Sequence, residues 1–386
     1  MNIIIFDSEI TGHHSEYINH LIEYLVVSSS DDSYYFVVHP DFPSKFKNIV
    51  SKTENCSHIH WRPITRSEED SLASLSIMKK SFVEYNLVEK YVTSLNADIV
   101  YLMHFNTFQL ALAFKRSKFR IRGILFNQFF RTSSKTLKEK ILYYRKYLIT
   151  KFYCLNTSVE SIFVLNDEIT VERFNTKFKT DIFKVLPDPV LDLPTSPGFD
   201  IYKRYNIEKN QNIFLHFGSL AMRKGTFEII NAAQFIPQDI QSKTTILLVG
   251  KPENQETHEK ISTLIHHSKK TSKVNLIWED CFVSNGIMKG LFAQCTAVVM
   301  PYKNPEASSG ILGHAIVAKK PVISIGKGLL KELVESNNFG ILLDKVTPNS
   351  VAIAMVEIGP FSATEAARSQ YIEEHTIEKF SQILLG

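Results

Sequence analysis

The sequence predicts two doubly wound α/β domains in tandem, with their strand ends facing a central cleft. Three observations carry this. Short apolar runs alternate with amphipathic helical segments along the whole chain, as in parallel sheets covered on both faces. Four prolines fall within "VLPDPVLDLPTSPGFD", residues 185–200, a break in the pattern. After that break the alternation starts again. The 386 residues are too many for one ordinary core and suit two domains of ~150–200 residues each.

In the first half, strands are expected at Ile3–Phe6, Tyr35–His39, Ile99–His104, Ile121–Asn127 and Ser161–Leu165. Helices fit between them, notably Ser15–Val27, whose Ile18, Leu21, Ile22 and Leu25 share one face. In the second half, strands are expected at Asn212–Phe217, Thr245–Gly250, Val274–Trp278, Ala297–Pro301, Val322–Ile325 and Gly340–Leu343. Helices there start at Gly225, Glu256, Asn285, Ser309, Gly328 and Asn349. The expected domains are 1–190, 191–362 and a helical tail, 363–386, which suits either the second domain or a return to the first.

Bulk properties narrow the class. Apolar content of 44% and charged content of 22% describe an ordinary globular protein. The net charge of +4 argues neither for nor against nucleic acid, and no nucleic-acid partner is expected. Cys56, Cys154, Cys281 and Cys295 lie far apart without metal-ligand spacing and read as reduced and structural. Met1–Phe6 is short, lacks a basic flank and runs into Asp7 and Glu9, so it reads as a buried strand rather than a leader. No apolar stretch reaches the ~18 residues a membrane span needs, and a cytoplasmic protein, at most peripheral to a membrane, is expected.

Three second-domain segments point to anion chemistry at strand ends. In "HFGSLAMRKGTFEII", 216–230, a strand ends at Phe217, Gly218 permits a turn, and Arg223-Lys224-Gly225 precedes a helix. A Lys there reaches an anion lying over the helix start, although an isolated Arg-Lys pair also fits solvated loop charges. In "LLVGKPEN", 247–254, Gly250 ends a strand and lets a flat ring approach the backbone. In "PYKNPEASSGILGHAIVAKKPVISI", 301–325, Ser308 or Ser309 suits an N-cap. Ile311, Leu312, Ala315 and Ile316 form an apolar helix face, closed by Lys319, Lys320 and Pro321. The amides of Ser309, Gly310 and Ile311 at that start suit a phosphate.

Together these segments resemble the family 4 retaining glycosyltransferases, bacterial polysaccharide or glycolipid type, which have the two-domain GT-B fold. The resemblance covers nearly the whole chain and is densest from Asn212 to Asp344. It implies that Lys224 sits on the donor diphosphate. The family's Glu–seven residues–Glu motif corresponds to Glu306 through His314. Glu306 would orient donor-sugar hydroxyls, and the amides after Ser308 would cradle the distal phosphate. "KKPVISIGKGLLKELVESNNFGILLD", 319–344, resembles the closing strand, turn, helix and strand of that domain. His314 stands where the family has its second Glu, which bonds the ribose, and Ser219 where it often has an Arg. The first-domain segment "ILFNQFFRTSS", 124–134, carries Asn127, Gln128 and Arg131 where many members have a His.

The resemblance implies a hexosyltransferase that moves a sugar, with retention, from a UDP- or GDP-linked donor to a hydroxyl of a glycan or lipid-linked acceptor. It implies no metal and no other cofactor, with the leaving phosphate taking the acceptor proton. Gly12, His13, His14 and His104 are the candidates on the acceptor side; a solvated histidine pair and a structural His104 fit as well. Two other readings remain: a GT-B nucleotide- or partner-binding protein without turnover, for which His314 and Ser219 speak, and a nucleotide-sugar epimerase of the same architecture.

Residues 135–153, "KTLKEKILYYRKYLITKFY", mix Lys135, Lys138, Lys140, Arg145, Lys146 and Lys151 with Leu137, Ile141, Tyr144, Leu148 and Phe152. The apolar set has helical spacing. It fits a helix packed on the sheet with a solvated basic face, or one lying on an anionic membrane surface.

Overall fold

The computed structural model describes residues 1–11, 14–28, 30–126, 128–131, 136–303 and 309–386. It divides into two compact units, Met1–Asp188 with Ile377–Gly386, and Pro189–Thr376.

The first unit holds seven strands: β1 (Asn2–Asp7), β2 (Ser33–Val38), β3 (Ile59–Trp61), β4 (Ile99–Leu102), β5 (Arg120–Leu125), β6 (Val159–Leu165) and β7 (Phe183–Leu186). They form one sheet in the order β3-β2-β1-β4-β5-β6-β7, with parallel pairings throughout. β1 shows why these runs are almost wholly apolar. Ile4 and Phe6 enter the core on one side of the sheet, Ile3 and Ile5 the core on the other. A strand covered on both faces has no solvent side to carry polar residues.

The second unit repeats the plan with β8 (Asn212–Phe217), β9 (Thr244–Val249), β10 (Asn275–Glu279), β11 (Ala297–Met300), β12 (Val322–Ile325) and β13 (Gly340–Leu343). Their order is β10-β9-β8-β11-β12-β13, again parallel. In both sheets the chain winds outward in one direction and then the other. The switch points lie between β1 and β4 and between β8 and β11, and crevices for ligands open at the carboxyl ends of such strand pairs.

Several expectations need correction. β3 and β7 were not anticipated. β3 is a three-residue edge strand, too short to show periodicity. β7 alternates buried Phe183 with exposed Lys184 and runs straight into the prolines that mask its end. The proline-rich segment is not free chain. Val190 N–H donates to the His375 carbonyl, and a Cβ on Gly313 would lie 2.3 Å from Val190. β4 stops at Leu102, and His104 instead occupies the N-cap position of the helix Phe105–Phe114. The tail forms two helices that part company. Glu365–Glu374 stays with the second unit, while Ile377–Leu385 packs on the helix His14–Val27 of the first. Phe380 stacks on Tyr17 there at 5.3 Å, and Tyr101 Oη and Arg122 Nη1 donate to the Leu385 carbonyl.

The helix Leu137–Cys154 overturns the packed reading of its apolar set. Leu137, Ile141, Tyr144, Leu148 and Phe152 all face solvent, and Thr150 and Tyr153 are the residues it buries. Its start is fixed by a capping box between Thr136 and Glu139.

Gln128 and Arg131 have a structural task. Asp167 is buried at the N-cap of the helix Glu168–Phe178, and Arg131 forks onto it with Nε at 2.9 Å and Nη2 at 2.6 Å. Gln128 Nε2 adds a longer donation to the same carboxylate at 3.5 Å, while its carbonyl oxygen accepts from Phe130 N–H. Removing the guanidinium leaves Asp167 as a buried, under-compensated charge, so Arg131→Met is expected to cost ~3–5 kcal/mol of unfolding free energy. Urea unfolding of the variant measures this; a midpoint equal to the wild type's would show the pair to be idle.

Candidate functional site

In the second unit, glycines bring three strand ends unusually close. Gly218 follows β8 with φ +102, and Gly250 follows β9 with φ +144. A Cβ on Gly250 would lie 1.8 Å from the Gly218 carbonyl oxygen, so its missing side chain admits backbone where a flat ring was expected. Gly225, with φ +73, would set a Cβ 2.5 Å from the Pro301 carbonyl oxygen, just past β11. These positions accept no other residue without moving the backbone.

The turn between Gly218 and Gly225 is held by a residue that the sequence reading did not single out. His216 is buried on β8. Its Nδ1–H donates to the Val299 carbonyl at 2.8 Å, and its Nε2 accepts from Thr226 Oγ1 at 3.0 Å. Thr226 Oγ1 in turn accepts from Ala221 N–H at 3.1 Å. Burial pushes the imidazole down to about 4, so it stays neutral and keeps this tautomer at ordinary pH.

The turn Met222–Lys224 then folds the Lys224 side chain back over the strand end. A Cβ on Gly218 would meet Lys224 Nζ at 3.3 Å, and the ammonium lies 5.2 Å from the centre of the Tyr302 ring. It has no hydrogen-bond or ion-pair partner among the described residues. Burial, with the neighbouring Arg223 charge, pushes it down to about 8. Arg223 itself is exposed, and its carbonyl accepts from Lys303 N–H.

Tyr302, also missed, links Lys224 to the helix Gly310–Val317. Its buried hydroxyl accepts from Ser309 Oγ at 3.5 Å. Ser309 occupies the N-cap position but makes no side-chain cap bond, a correction to its expected capping role. The N–H groups of Gly310 and Ile311 have no acceptor among the described residues, and nothing lies within 4 Å of where a Gly310 Cβ would be. Leu312, Ala315 and Ile316 bury the expected apolar face, with Ile311 half-buried. His314, one turn into the helix, sets its ring 5.8 Å from that of Phe292. Glu306 and Ser308 lie outside the described residues, as do Gly12 and His13.

In the first unit, the candidates His14 and His104 come together at the carboxyl ends of β1 and β4. Their rings meet edge to face at 5.6 Å, beside Phe126. His14 Nδ1 lies 2.8 Å from both carboxylate oxygens of buried Asp7. His104 Nδ1 pairs with Thr107 Oγ1 at 3.2 Å, and burial, with His14 alongside, pushes its ring down to about 4. Around them, Lys80 bridges to Glu9 at 2.6 Å, and Ser8 donates to buried Glu84, whose carboxyl burial pushes up to about 7. Asp7, Lys80 and Glu84 were not anticipated as part of this cluster, since Lys80 and Glu84 reach it from a distant helix, Ile77–Leu95.

Among known proteins, residues 199–358 match the family model described as Glycosyl transferases group 1. The chain carries a group 1 glycosyltransferase domain. Its span takes in the Gly218–Gly225 turn, Gly250, Tyr302 and the helix start at Gly310. No curated protein sequence matches the chain. Solved structures extend the likeness over both units. WaaG, a glycosyltransferase involved in lipopolysaccharide biosynthesis, is 15% identical with a TM-score of 0.59, covering 99% of this chain and 95% of that one. Anabaena HepE in complex with UDP-glucose is 16% identical with a TM-score of 0.67, covering 100% and 98%. A Rickettsia africae glycosyltransferase is 13% identical with a TM-score of 0.65, covering 100% and 96%. The two Rossmann-like units therefore have the GT-B fold.

The state of Lys224 sets a pH signature for anion binding at this group 1 domain. Its ammonium is charged below about 8 and neutral above, and a bound diphosphate favours the charged form. UDP affinity should thus be fully present near neutral pH and fall roughly five- to tenfold by pH ~9. In Lys224→Met the same titration should be flat. Calorimetry across that range checks both, and a wild-type affinity that ignores pH would take Lys224 out of contact with the phosphates.

Proposed function

We propose that this protein is a retaining glycosyltransferase that moves a hexose-type sugar from a UDP- or GDP-linked donor to a hydroxyl of a glycan or lipid-linked acceptor. The observation that carries the reading is the Lys224 ammonium at the β8–β11 switch point. It is half-buried with no counter-charge among the described residues, seated on Tyr302, whose hydroxyl accepts from Ser309 at the start of the Gly310 helix. A cation and two amides with no acceptor among the described residues, at one strand-end crevice, suit a diphosphate.

In this reading Lys224 and the Gly310 and Ile311 amides stabilise the charge that grows on the leaving diphosphate, so no metal is required of the reaction. Arg223 adds positive potential, Gly218 and Gly250 let the strand ends approach closely beneath the site, and His314 bonds a ribose hydroxyl. Glu306 orients donor-sugar hydroxyls, by the motif resemblance. His14 and His104 bond the acceptor hydroxyl, and neutral His104 suits an uncharged sugar. Retention follows from the family resemblance, with the leaving phosphate taking the acceptor proton. HepE's complexes with UDP and with UDP-glucose favour a uridine donor here. In this reading the protein is cytoplasmic, and a lipid-linked acceptor would bring it to the inner face of a membrane.

Lys224→Ala removes a charge-assisted contact worth ~1.5–3 kcal/mol, so UDP or GDP should bind roughly ten- to a hundredfold more weakly by calorimetry. Unchanged affinity would relocate the phosphate site. Glu306→Gln separates an enzyme from a nucleotide-binding relative without turnover. It should leave UDP affinity intact and cut donor turnover, including slow hydrolysis without acceptor, at least ~tenfold. Failure of the wild type to consume any nucleotide sugar, offered with glycan and lipid extracts, would favour the binder.

A further inference from the structure

We propose that the helix Leu137–Cys154 docks on an anionic lipid surface, with its apolar stripe against the acyl chains. Leu137, Ile141, Tyr144, Leu148 and Phe152 are spaced by four, three, four and four residues and so share one face. That face is turned outward. Leu137 is 76% exposed and Tyr144 64%, values far from those of a packing surface. The opposite side does the packing: Tyr143 meets Phe129 at 5.1 Å, Tyr147 meets Phe178 at 5.3 Å, and Tyr153 meets Phe105 at 5.5 Å. The stripe is therefore not needed to hold the helix in place.

The patch extends beyond the helix. Phe114, 66% exposed at the end of the neighbouring helix Phe105–Phe114, stacks on Phe152 at 6.4 Å. Exposed Arg116 and Lys118 follow it.

Charge decides the occupant. At ~100° per residue, Lys138 and Arg145 flank one edge of the stripe and Lys140 and Lys151 the other. All four are exposed, and none forms an ion pair among the described residues. The helix has one acidic residue, Glu139, which serves the capping box. A second copy of the chain seated here by a two-fold axis would set this cation array against itself. An anionic bilayer instead neutralises both rows of cations while long side chains bring their charges up to the headgroups. No helix among the described residues is long and apolar enough to cross a membrane, so the contact is interfacial.

The docking does not depend on the transfer reading; joined to it, the acceptor class narrows to one carried at a membrane. Flotation with phosphatidylcholine vesicles holding about a third phosphatidylglycerol tests the surface without donor or acceptor. The wild type should float at low salt, be partly released by high salt, and ignore pure phosphatidylcholine. Reversing Lys138, Lys140, Arg145 and Lys151 to Glu should weaken partition at least ~100-fold. Ile141→Ser with Leu148→Ser should weaken it at least ~tenfold at both salt concentrations. Tyr144→Trp should gain a blue-shifted emission on adding the anionic vesicles. A wild type that stays unbound at low salt overturns the proposal. So does a dimer in sedimentation velocity that both sets of substitutions dissolve. Vesicle binding without turnover of any donor would leave the docking standing and remove only the transfer reading.

Discussion

An ammonium group taken out of water is unfavourable, and at the switch point of the second sheet Lys224 is held half-buried with no counter-charge among the described residues. Lys224 stays there because the turn carrying it has nowhere else to go. Gly225 is wedged against Pro301, Gly218 against Gly250, and buried His216 ties the turn to β11 through Val299 and to the next helix through Thr226. The aromatic face of Tyr302 partly replaces lost hydration. The lowered proton affinity of Lys224 has the same cause, burial with the Arg223 charge alongside, and a bound anion would raise it again.

The first sheet solves a different problem at its own switch point. There most of the polar groups meet in pairs, Asp7 with His14, Lys80 with Glu9 and Ser8 with one oxygen of Glu84, whose other oxygen is buried without a hydrogen bond among the described residues. The cluster offers hydrogen-bonding groups and two imidazoles with little net charge, which suits hydroxyl-bearing ligands better than phosphates. One architecture, used twice, thus presents a cationic crevice in one unit and a nearly neutral polar one in the other. The difference lies in the side chains at and around the strand ends, some of them brought in by helices such as Ile77–Leu95.

Much of the fold was legible. Eleven of the strands were visible because parallel strands buried on both faces must be apolar throughout, and the glycines at 218 and 250 marked strand ends, with Gly225 marking the helix start that follows. β3 and β7 were not visible, since β3 has only three residues and β7 alternates buried with exposed positions before running into prolines. Gln128 and Arg131 were legible as polar residues but not as the buried anchors of Asp167, because nothing in a linear reading reports a pairing across 36 residues. Tyr302 and His216 were hidden for a related reason. An aromatic beside a proline and a His inside an apolar strand look like core until their neighbours are known.

The sequence by itself determined the class of architecture, the punctuation of its strands and the residues able to meet a diphosphate. These are local properties, since periodicity, a glycine's freedom and a lysine's charge belong to a few adjacent residues. Only the tertiary structure decided which of those residues meet. It set Lys224 on Tyr302, brought His14 to His104, and sent the last helix back to the first unit while its neighbour stayed with the second. It also turned the Leu137–Phe152 stripe outward. The same spacing describes an apolar face seeking the core and one seeking a membrane, and burial, which chooses between them, depends on what the rest of the chain already covers.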